Sequence, residues 1–501
     1  MKKKIRVRFA PSPTGALHIG GLRTAFFNYL FAIQNQGDFI LRIEDTDIRK
    51  NTKYSIEYIL KALKWCKIKV NEGYNHRGEF GPYIQSKRIK IYKKYLKILK
   101  KKKLIYYSFE SKDELKKYKI NNKNFIYNSL TRYKLKNSLS KNNNKKTINY
   151  YLKNKKYVIR IKTPKNKDII IKDKIYGNIK INTNNIDDKI LFRSNDTPTY
   201  HFASVIDDYL MNITHIIRGK EWIYSSPIHI LIYNNFKWKL PKFIHLPLLL
   251  NNKGGKISKS KMVKNKIPIH PINYNKLNIN NSYKSNGFLP NAFINILALL
   301  GWTPKNNKEI YSFKEIIKLF NFKNINKSDV HLNYNKFRWI NKKYLNKISN
   351  KYYYKYLKKK IKSNIFNLYT KKKINKIINL TKNRISLINE IWDVSSYFFL
   401  NPKTYFIPTN IISYIKDNKK KIILLLNKFI IILKKNKKKT DINYNDIIKK
   451  LSIFNLKLLR ISIVGKLIGI DMYNILSLIK TKIIIKRIIN FKNFIISQYK
   501  I

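Results

Sequence analysis

The N-terminal stretch RFAPSPTGALHIGGLRTAFF, residues 8–27, joins a short strand pattern to a helix pattern through a turn rich in proline and glycine. Apolar residues alternate over residues 5–9, as in a strand, and recur at helical spacing over residues 22–33. The segment FILRIE, residues 39–44, predicts a second strand. Two parallel strands with a crossover helix between them imply an α/β sheet at the start of the chain.

The turn between this strand and this helix is suited to holding a phosphate. Open α/β sheets bind nucleotides where a loop leaves the carboxyl end of a strand and enters a helix, because backbone amides and the helix dipole face the ligand there. Gly15, Gly20 and Gly21 let a phosphate approach the backbone closely. His18 is placed to donate to a phosphate oxygen. Taken alone, these residues also fit a tight turn whose histidine serves only the fold.

A second motif, KISKS at residues 256–260, follows a pair of glycines in a polar segment. It places Lys256, Lys259 and two hydroxyl groups on a loop that is able to swing over a phosphate. In a chain so rich in lysine, a solvated basic loop is the competing interpretation. If the chain does not bind a nucleotide, both motifs must have arisen by chance, in this order and at this separation. We therefore predict a nucleotide site.

The charge balance permits a nucleic-acid partner without requiring one. The 501 residues include 106 Lys and Arg against 27 Asp and Glu, a formal net charge of +79 that would neutralise a polyanion. The excess lies in residues such as Lys, Asn, Ile and Tyr, whose codons are rich in A and T. A biased genome would give the same composition whatever the function.

Cysteine usage and apolar runs bear on the compartment. Cys66 is the only cysteine, which excludes an internal disulfide and fits a reducing, cytoplasmic setting. The charged start of the chain breaks at Pro11 before an apolar segment of signal-peptide length. The most apolar run, residues 422–433, falls short of the roughly 20 residues that span a bilayer. We expect a cytoplasmic protein without a membrane segment.

Several segments together carry a resemblance to a known family. PSPTGALHIGG and KISKS resemble the two signature motifs of class I aminoacyl-tRNA synthetases, and the surrounding sequence resembles the glutamyl-tRNA synthetases. Similar counterparts exist for LRIEDTD, TPTYHFASVIDDYLM, HIIRGKEW, GFLPNAFINILALLGW and KFRWIN. IWDVSSYFF and LLRISIVGKLIG resemble the anticodon-binding region of that family more loosely.

The resemblance implies an α/β fold with a Rossmann-type parallel-sheet catalytic domain, an inserted acceptor-stem domain and an all-α anticodon-binding region. We expect the catalytic domain in two halves, residues 1–99 and 191–240, around an acceptor-stem-binding insertion at residues 100–190. Residues 241–335 are expected to hold the KISKS loop and a helical stem-contact domain, and residues 336–501 to form the anticodon-binding region. A monomer is expected.

The implied reaction is activation of L-glutamate by ATP, followed by transfer of the glutamyl group to the terminal ribose of tRNA-Glu. The resemblance assigns ATP to Gly15, His18, Gly20, Gly21, Glu221 and Lys259. His18, Lys256 and Lys259 are the implied catalytic residues: Lys259 would neutralise charge that develops on the phosphates, and Lys256 would shape the loop with Ser258. Mg²⁺ would bridge pyrophosphate oxygens, with no protein residue assigned as a metal ligand.

Glutamate has two negative groups and one positive group, so its pocket needs two cations and one anion. The resemblance offers Arg8 for the side-chain carboxylate, Arg218 for the α-carboxylate and Glu44 for the ammonium, with the order of the two arginines left open. Ser12 and Tyr200 would add neutral hydrogen bonds. One of the neighbouring pair Asp207 and Asp208 is expected to cap or orient an adjacent element, and neither is assigned a catalytic role.

Some features separate this chain from its nearest alternatives. Some relatives bind zinc through cysteines in the insertion, but the matching stretch here, residues 104–115, has none, and no structural zinc is expected. A glutaminyl-tRNA synthetase usually carries glutamate where this chain has Ser12. A tRNA-binding protein without catalysis would have no use for the complete set of site residues, and the residues up to 501 disfavour a tRNA-modifying paralogue that retains only the catalytic half. An enzyme that also glutamylates tRNA-Gln remains an open alternative.

Overall fold

The computed structural model describes residues 4–46, 53–121, 125–132, 145–154, 157–251, 254–255, 267–435 and 452–498. The chain divides into two compact units, Met1–Ile340 and Asn341–Ile501. The described residues form twelve strands and nineteen α-helices, which we number in chain order.

The strands all lie in the first unit. They are β1 (Arg6–Phe9), β2 (Asp38–Leu41), β3 (Glu72–Gly73), β4 (Ile105–Ser108), β5 (Val158–Ile161), β6 (Asp168–Asp173), β7 (Gly177–Asn182), β8 (Ile190–Phe192), β9 (His215–Gly219), β10 (Lys242–Leu246), β11 (Leu249–Leu250) and β12 (Val330–His331).

The first unit also contains the helices α1 (Ile19–Gln34), α2 (Lys53–Trp65), α3 (Ile89–Lys101), α4 (Lys112–Asn121), α5 (Lys145–Lys153), α6 (Tyr200–Leu210), α7 (Ser226–Asn235), α8 (Pro290–Leu299) and α9 (Phe313–Leu319). Helix α10 (Tyr334–Asn346) crosses the boundary between the units.

A parallel sheet occupies the centre of the first unit. On one side, β1 pairs with β2 and β2 with β3; on the other, β9 pairs with β10 and β10 with β6, all in parallel, and β7 adds an antiparallel edge. The backbone N–H of Thr214 donates to the carbonyl of Arg6 at 2.9 Å, so β9 begins beside β1. The strand order therefore reverses between β1 and β9, which is where open α/β sheets bind ligands.

The sequence of the first βαβ unit explains its geometry. Val7 and Phe9 on β1 and Phe39 on β2 are buried, and α1 covers them with a largely buried surface. Strand β2 ends at Leu41, earlier than predicted, because the chain then follows the proline turn: the N–H of Glu44 donates to the carbonyl of Pro11 at 3.1 Å. The predicted parallel α/β sheet is confirmed.

The segment between the two halves of this sheet contributes to two sheets. Strands β4, β5 and β8 form an antiparallel sheet, in which Ile105 pairs with Ile161. Strand β6 instead joins the central sheet, since Asp173 pairs with Phe243 of β10. The end of β6 thereby lies against a strand that approaches the pocket described below.

The second unit is helical throughout its described residues, as predicted. It consists of the end of α10 together with α11 (Asn350–Lys360), α12 (Ser363–Phe366), α13 (Lys371–Thr381), α14 (Glu390–Ser395), α15 (Thr409–Asp417), α16 (Lys419–Lys435), α17 (Ile453–Val464), α18 (Met472–Leu478) and α19 (Thr481–Gln498). Helix α17 ends at Val464 and is followed by Gly465, whose φ of +84° suits glycine. Among the described residues, no helix is long and apolar enough to cross a membrane.

Candidate active site

A cavity of about 310 Å³ opens between the carboxyl ends of β1 and β9. Seven of the residues predicted from sequence line it: Arg8, Ser12, Gly21, Glu44, Tyr200, Arg218 and Glu221. The rest of the described wall consists of Phe9, Ala10, Pro11, Leu17, Thr24, Ile217, Gly219 and Trp222. The cavity therefore unites residues from four separate segments of the chain.

Arg8 and Glu44, on one wall of this cavity, are linked by a chain of buried ion pairs that runs through Asp208 and Arg42. Arg8 donates to both oxygens of Asp208, from Nε at 2.9 Å and from Nη2 at 3.1 Å. Arg42 donates to the same Asp208 from Nη1 at 2.8 Å and to Glu44 from Nη2 at 2.9 Å. Asp208 contacts only two of the three guanidinium nitrogens of Arg8, so within the described part of the chain Nη1 is left for a ligand.

Burial and neighbouring charges set the ionisation of this wall. Burial raises the pKa of Asp208, but Arg8 and Arg42 outweigh it and leave that pKa below its ordinary value. For Glu44, burial is the largest effect and holds the pKa above its ordinary value despite Arg42. Asp208 is thus harder to protonate than a carboxylate in water, whereas Glu44 is easier to protonate.

Arg218, on the opposite wall, has neutral partners. Its Nε donates to Nε2 of His245 at 3.1 Å, and its Nη1 lies 3.2 Å both from the hydroxyl of Tyr200 and from Nδ1 of His229. Its Nη2 donates to Oγ of Ser226 at 2.8 Å. Within the described residues, no carboxylate forms an ion pair with Arg218, so its charge is less compensated than that of Arg8.

The first turn of α1 holds the predicted nucleotide residues. His18 is the N-cap, and its Nδ1 accepts from the backbone N–H of Gly20 at 3.0 Å, so a neutral ring carries its proton on Nε2. A Cβ at Gly20 would lie 2.9 Å from Cε1 of the imidazole, which explains the glycine. His18, Gly15 and Gly20 are not among the residues that line the cavity, whereas Gly21 is.

The segment after β9 contributes Gly219, Glu221 and Trp222 to the cavity lining. Glu221 lies back over Gly219, where a Cβ would approach its Oε2 to 2.1 Å. The ring of Trp222 packs against that of Tyr200, with centroids 4.5 Å apart. The predicted Lys256, Ser258 and Lys259 lie outside the described residues.

Two residues that shape the site were not predicted as part of it. Arg42 lies inside the LRIEDTD motif and is fully buried, and Asp208 is the second residue of the pair expected to orient other elements. Asp207 has the role expected of that pair, since it accepts from Nε of Arg88 at 2.7 Å and from Tyr92 at 2.8 Å. The sequence did contain one indication that Arg42 is buried and paired, because this arginine lies within the apolar segment FILRIE.

Comparison with known proteins shows the family of the chain. Residues 4–339 match the model of the family described as "tRNA synthetases class I (E and Q), catalytic domain", and residues 351–491 match that described as "Anticodon binding domain". A glutamate–tRNA ligase of Flavobacterium psychrophilum is 40% identical over 97% of this chain and 99% of its own length. One of Bacteroides thetaiotaomicron is 42% identical over 81% of each.

A solved structure extends the similarity to three dimensions. The crystal structure of a glutamate tRNA ligase from Elizabethkingia meningosepticum, in complex with its amino acid, is 37% identical and superposes with a TM-score of 0.83. The match covers 99% of this chain and all of the other. With a catalytic and an anticodon-binding region matched in order along nearly its whole length, this chain belongs to the class I tRNA synthetases of the E and Q type.

Proposed function

We propose that the chain is a glutamate–tRNA ligase, which uses ATP to convert L-glutamate into glutamyl-adenylate and then transfers the glutamyl group to the 3′ end of tRNA-Glu. AMP and pyrophosphate are the other products. The observation that carries the proposal is the single cavity in which Arg8, Arg218 and Glu44 converge. Two cations and one anion are the complement of glutamate, and the curated relatives are named as glutamate–tRNA ligases.

The chemistry needs alignment more than covalent participation by the protein. An α-carboxylate oxygen of glutamate attacks the α-phosphorus of ATP, and the bond to pyrophosphate breaks. A ribose hydroxyl of tRNA then attacks the activated carbonyl, and the bond to AMP breaks. Positioned cations lower the barrier where negative charge grows, which is the role we assign to Lys259 and to the neutral Nε2–H of His18.

The contacts favour an exchange of the two arginines relative to the sequence-based assignment. Asp208 already neutralises part of the charge of Arg8, whereas the direct partners of Arg218 are uncharged. The side-chain carboxylate distinguishes glutamate from glutamine, and the less compensated cation selects it best. We therefore assign Arg218 to the side-chain carboxylate and Arg8, through Nη1, to the α-carboxylate, with Glu44 facing the ammonium.

ATP is proposed to lie beside the amino acid, toward the first turn of α1. His18 and Gly20 would face its phosphates, and Glu221 lines the cavity beside them. Mg²⁺ would enter as part of the ATP complex. We expect no structural zinc in the insertion, where Ser108 donates to Glu110 at 2.6 Å and accepts from Arg160 at 3.0 Å.

The helical unit is proposed to bind the anticodon region of tRNA. It contains a cavity of about 260 Å³ lined by Trp392, Tyr397 and Phe406, with Lys403 and Lys466 on its wall. Phe406 is 71% exposed, which is unusual for an aromatic side chain that only serves a core. Aromatic faces beside cations suit unstacked bases and their phosphates.

A charging assay tests the proposed function. The purified protein is incubated with ATP and with labelled glutamate or glutamine, using tRNA-Glu and tRNA-Gln in turn. Glutamate on tRNA-Glu is the expected product; no charging with glutamate on either tRNA would contradict the proposal. Glutamate on tRNA-Gln as well would identify the non-discriminating alternative, which the described contacts do not distinguish. A monomer in the cytoplasm, where tRNA is used, is the state that we propose.

A further inference from the structure

The buried carboxylate of Asp173 lies behind Arg218, outside the cavity wall, and both of its oxygens accept hydrogen bonds. Asp173, at the end of β6, accepts through Oδ1 from the backbone N–H groups of Ile175 at 2.8 Å and Tyr176 at 2.9 Å. Its Oδ2 accepts from the backbone N–H of His245 at 3.0 Å and lies 2.8 Å from Nδ1 of the same residue. Four contacts fix the orientation of this carboxylate, and two of them come from one residue, His245.

The carboxylate determines which nitrogen of His245 carries the proton. Because Oδ2 of Asp173 can only accept, Nδ1 of His245 is the donor, and Nε2 is left as an acceptor. Nε2 receives the Nε–H of Arg218 at 3.1 Å and lies 3.2 Å from Oγ of Ser226. The side chain of His245 is fully buried, so water does not compete for this acceptor.

A second histidine holds the other side of the same guanidinium. Nδ1 of His229 lies 3.2 Å from Nη1 of Arg218, and its Nε2 lies 3.2 Å from Nδ1 of His201. Since the guanidinium can only donate, Nδ1 of His229 accepts and its proton resides on Nε2. Burial lowers the pKa of His229 and of His245, so both rings stay neutral beside the cation.

This arrangement differs from that of the other arginines of the site. Arg8 and Arg42 touch carboxylates directly, at 2.8–2.9 Å from Asp208. Arg218 touches an imidazole, and the nearest carboxylate along this path, Asp173, is one ring further away. The guanidinium is therefore held rigidly by an acceptor, yet its charge is not cancelled by a contacting anion.

We infer that Asp173 and His245 form a positioning pair that holds Arg218 through a neutral acceptor, so that its charge remains available to select an anionic amino acid over the corresponding amide. The inference rests on the proposed function and adds to it two residues outside the cavity. A carboxylate in the place of His245 would hold Arg218 equally well but would neutralise it. An apolar residue there would leave Nε of Arg218 buried without an acceptor.

The test compares two replacements of His245 in the full-length protein. His245→Gln retains a side-chain oxygen able to accept from Arg218, whereas His245→Leu has similar bulk and no acceptor. In ATP–pyrophosphate exchange with tRNA-Glu present, we expect His245→Leu to raise the KM for glutamate about 10-fold or more, the loss typical of a hydrogen bond to a charged group. His245→Gln should remain within about threefold of wild type, and the KM for ATP should change little in both.

Asp173→Asn and a matched control complete the design. Asn can donate to Nδ1 of His245 and reverse the tautomer, so we expect this variant to raise the KM for glutamate and to reduce the preference for glutamate over glutamine as an inhibitor. Asp168→Asn, on the same strand, removes an exposed ion pair with Lys180 and should leave both quantities unchanged. Equal kinetics of His245→Leu and wild type, or equal losses in His245→Leu and His245→Gln, would overturn the inference.

A spectroscopic measurement separates this inference from the proposed function. In protein labelled with ¹⁵N-histidine, His245 should show a protonated Nδ1 and an unprotonated Nε2 at neutral pH, and Asp173→Asn should move the proton. The opposite tautomer in wild type would overturn the positioning pair even if the protein charges tRNA. Failure of the wild-type charging assay would instead contradict the proposed function, and the tautomer would still decide the pairing.

Discussion

Arg8 and Asp208 are joined by two parallel hydrogen bonds although 200 residues separate them in the chain. Asp208 also binds Arg42, so one carboxylate supports two buried cations. Removal of one partner from such a group is costly because it leaves a buried charge uncompensated.

Asp208→Asn should therefore lower stability and weaken glutamate binding together. We expect a loss of about 3–5 kcal/mol in the free energy of unfolding, measured with urea, because Arg8 loses the carboxylate that it contacts and Arg42 retains only Glu44 of the two carboxylates to which it donates. Asp196→Asn is the control, since Asp196 pairs with Lys93 at the exposed surface, where an ion pair contributes about 0–1 kcal/mol. Equal effects of the two substitutions would contradict the central role of Asp208.

The binding of glutamate should depend on pH through Glu44. Burial raises the pKa of this carboxyl above its ordinary value, so its anionic form is lost as the pH falls toward the raised value, earlier than for a carboxylate in water. The KM for glutamate should rise in that acidic range while the KM for ATP changes less. Glu44→Gln should have a high KM at all pH values; a wild-type acidic rise that persists in Glu44→Gln would assign the titration to another group.

Substitution of Arg8 and of Arg218 shows which carboxylate of glutamate each of them binds. If Arg218 binds the side-chain carboxylate, Arg218→Ala should lose the preference for glutamate over glutamine, while Arg8→Ala should weaken both amino acids alike. Each loss should be about 2–5 kcal/mol of binding, as for a desolvated charge pair. Calorimetric competition between glutamate and glutamine measures this, and the reverse pattern would restore the assignment made from sequence.

Lys259→Ala should slow adenylate formation much more than it weakens substrate binding. Its charge is expected to act in the transition state, so turnover should fall about 100- to 1000-fold with a small change in the KM for glutamate. ATP–pyrophosphate exchange with tRNA-Glu present measures the step, and filter binding should show almost unchanged tRNA affinity. Lys261→Ala, in the same basic segment, is the matched control; near-wild-type exchange in Lys259→Ala would mean that KISKS is only a solvated loop.

Phe406→Ala should weaken binding of tRNA in an anticodon-dependent way. Loss of one stacking platform costs about 1–3 kcal/mol per base, so the dissociation constant should rise at least fivefold. Leu368→Ala is a suitable control, because Leu368 is 77% exposed in the same unit and does not line the cavity. If Phe406→Ala affects tRNAs with altered anticodons equally, the cavity does not read the anticodon.

The sequence predicted the cavity residues better than their partners. Arg8, Ser12, Glu44, Tyr200 and Arg218 all line one cavity, as the resemblance to the family implied. Their location follows from motifs at the carboxyl ends of parallel strands, which topology brings together. Such reasoning places a residue at an edge of the sheet, but it gives no distance.

The sequence motifs do not predict which buried side chains hold the cavity residues in place. Arg42 and Asp208 meet across 166 residues, and Asp173 meets His245 across 72. Periodicity shows that a position is buried, but a buried charge finds its partner only through the packing of distant elements. From the sequence we expected an orienting role within the Asp207–Asp208 pair. The sequence did not show that the partners would be Arg88, Arg8 and Arg42.

The branching of ion pairs at Asp208 also constrains how this pocket can evolve. Hydrogen bonds link Arg8 to Asp208, Asp208 to Arg42, and Arg42 to Glu44. Replacement of one of these residues by an uncharged one therefore removes an opposite charge from the residue next to it. A lineage that changes its amino acid has to pass through paired exchanges, in which a cation and its anion are replaced together. An engineer who seeks an uncharged substrate faces the same requirement and has to redesign the group as one unit.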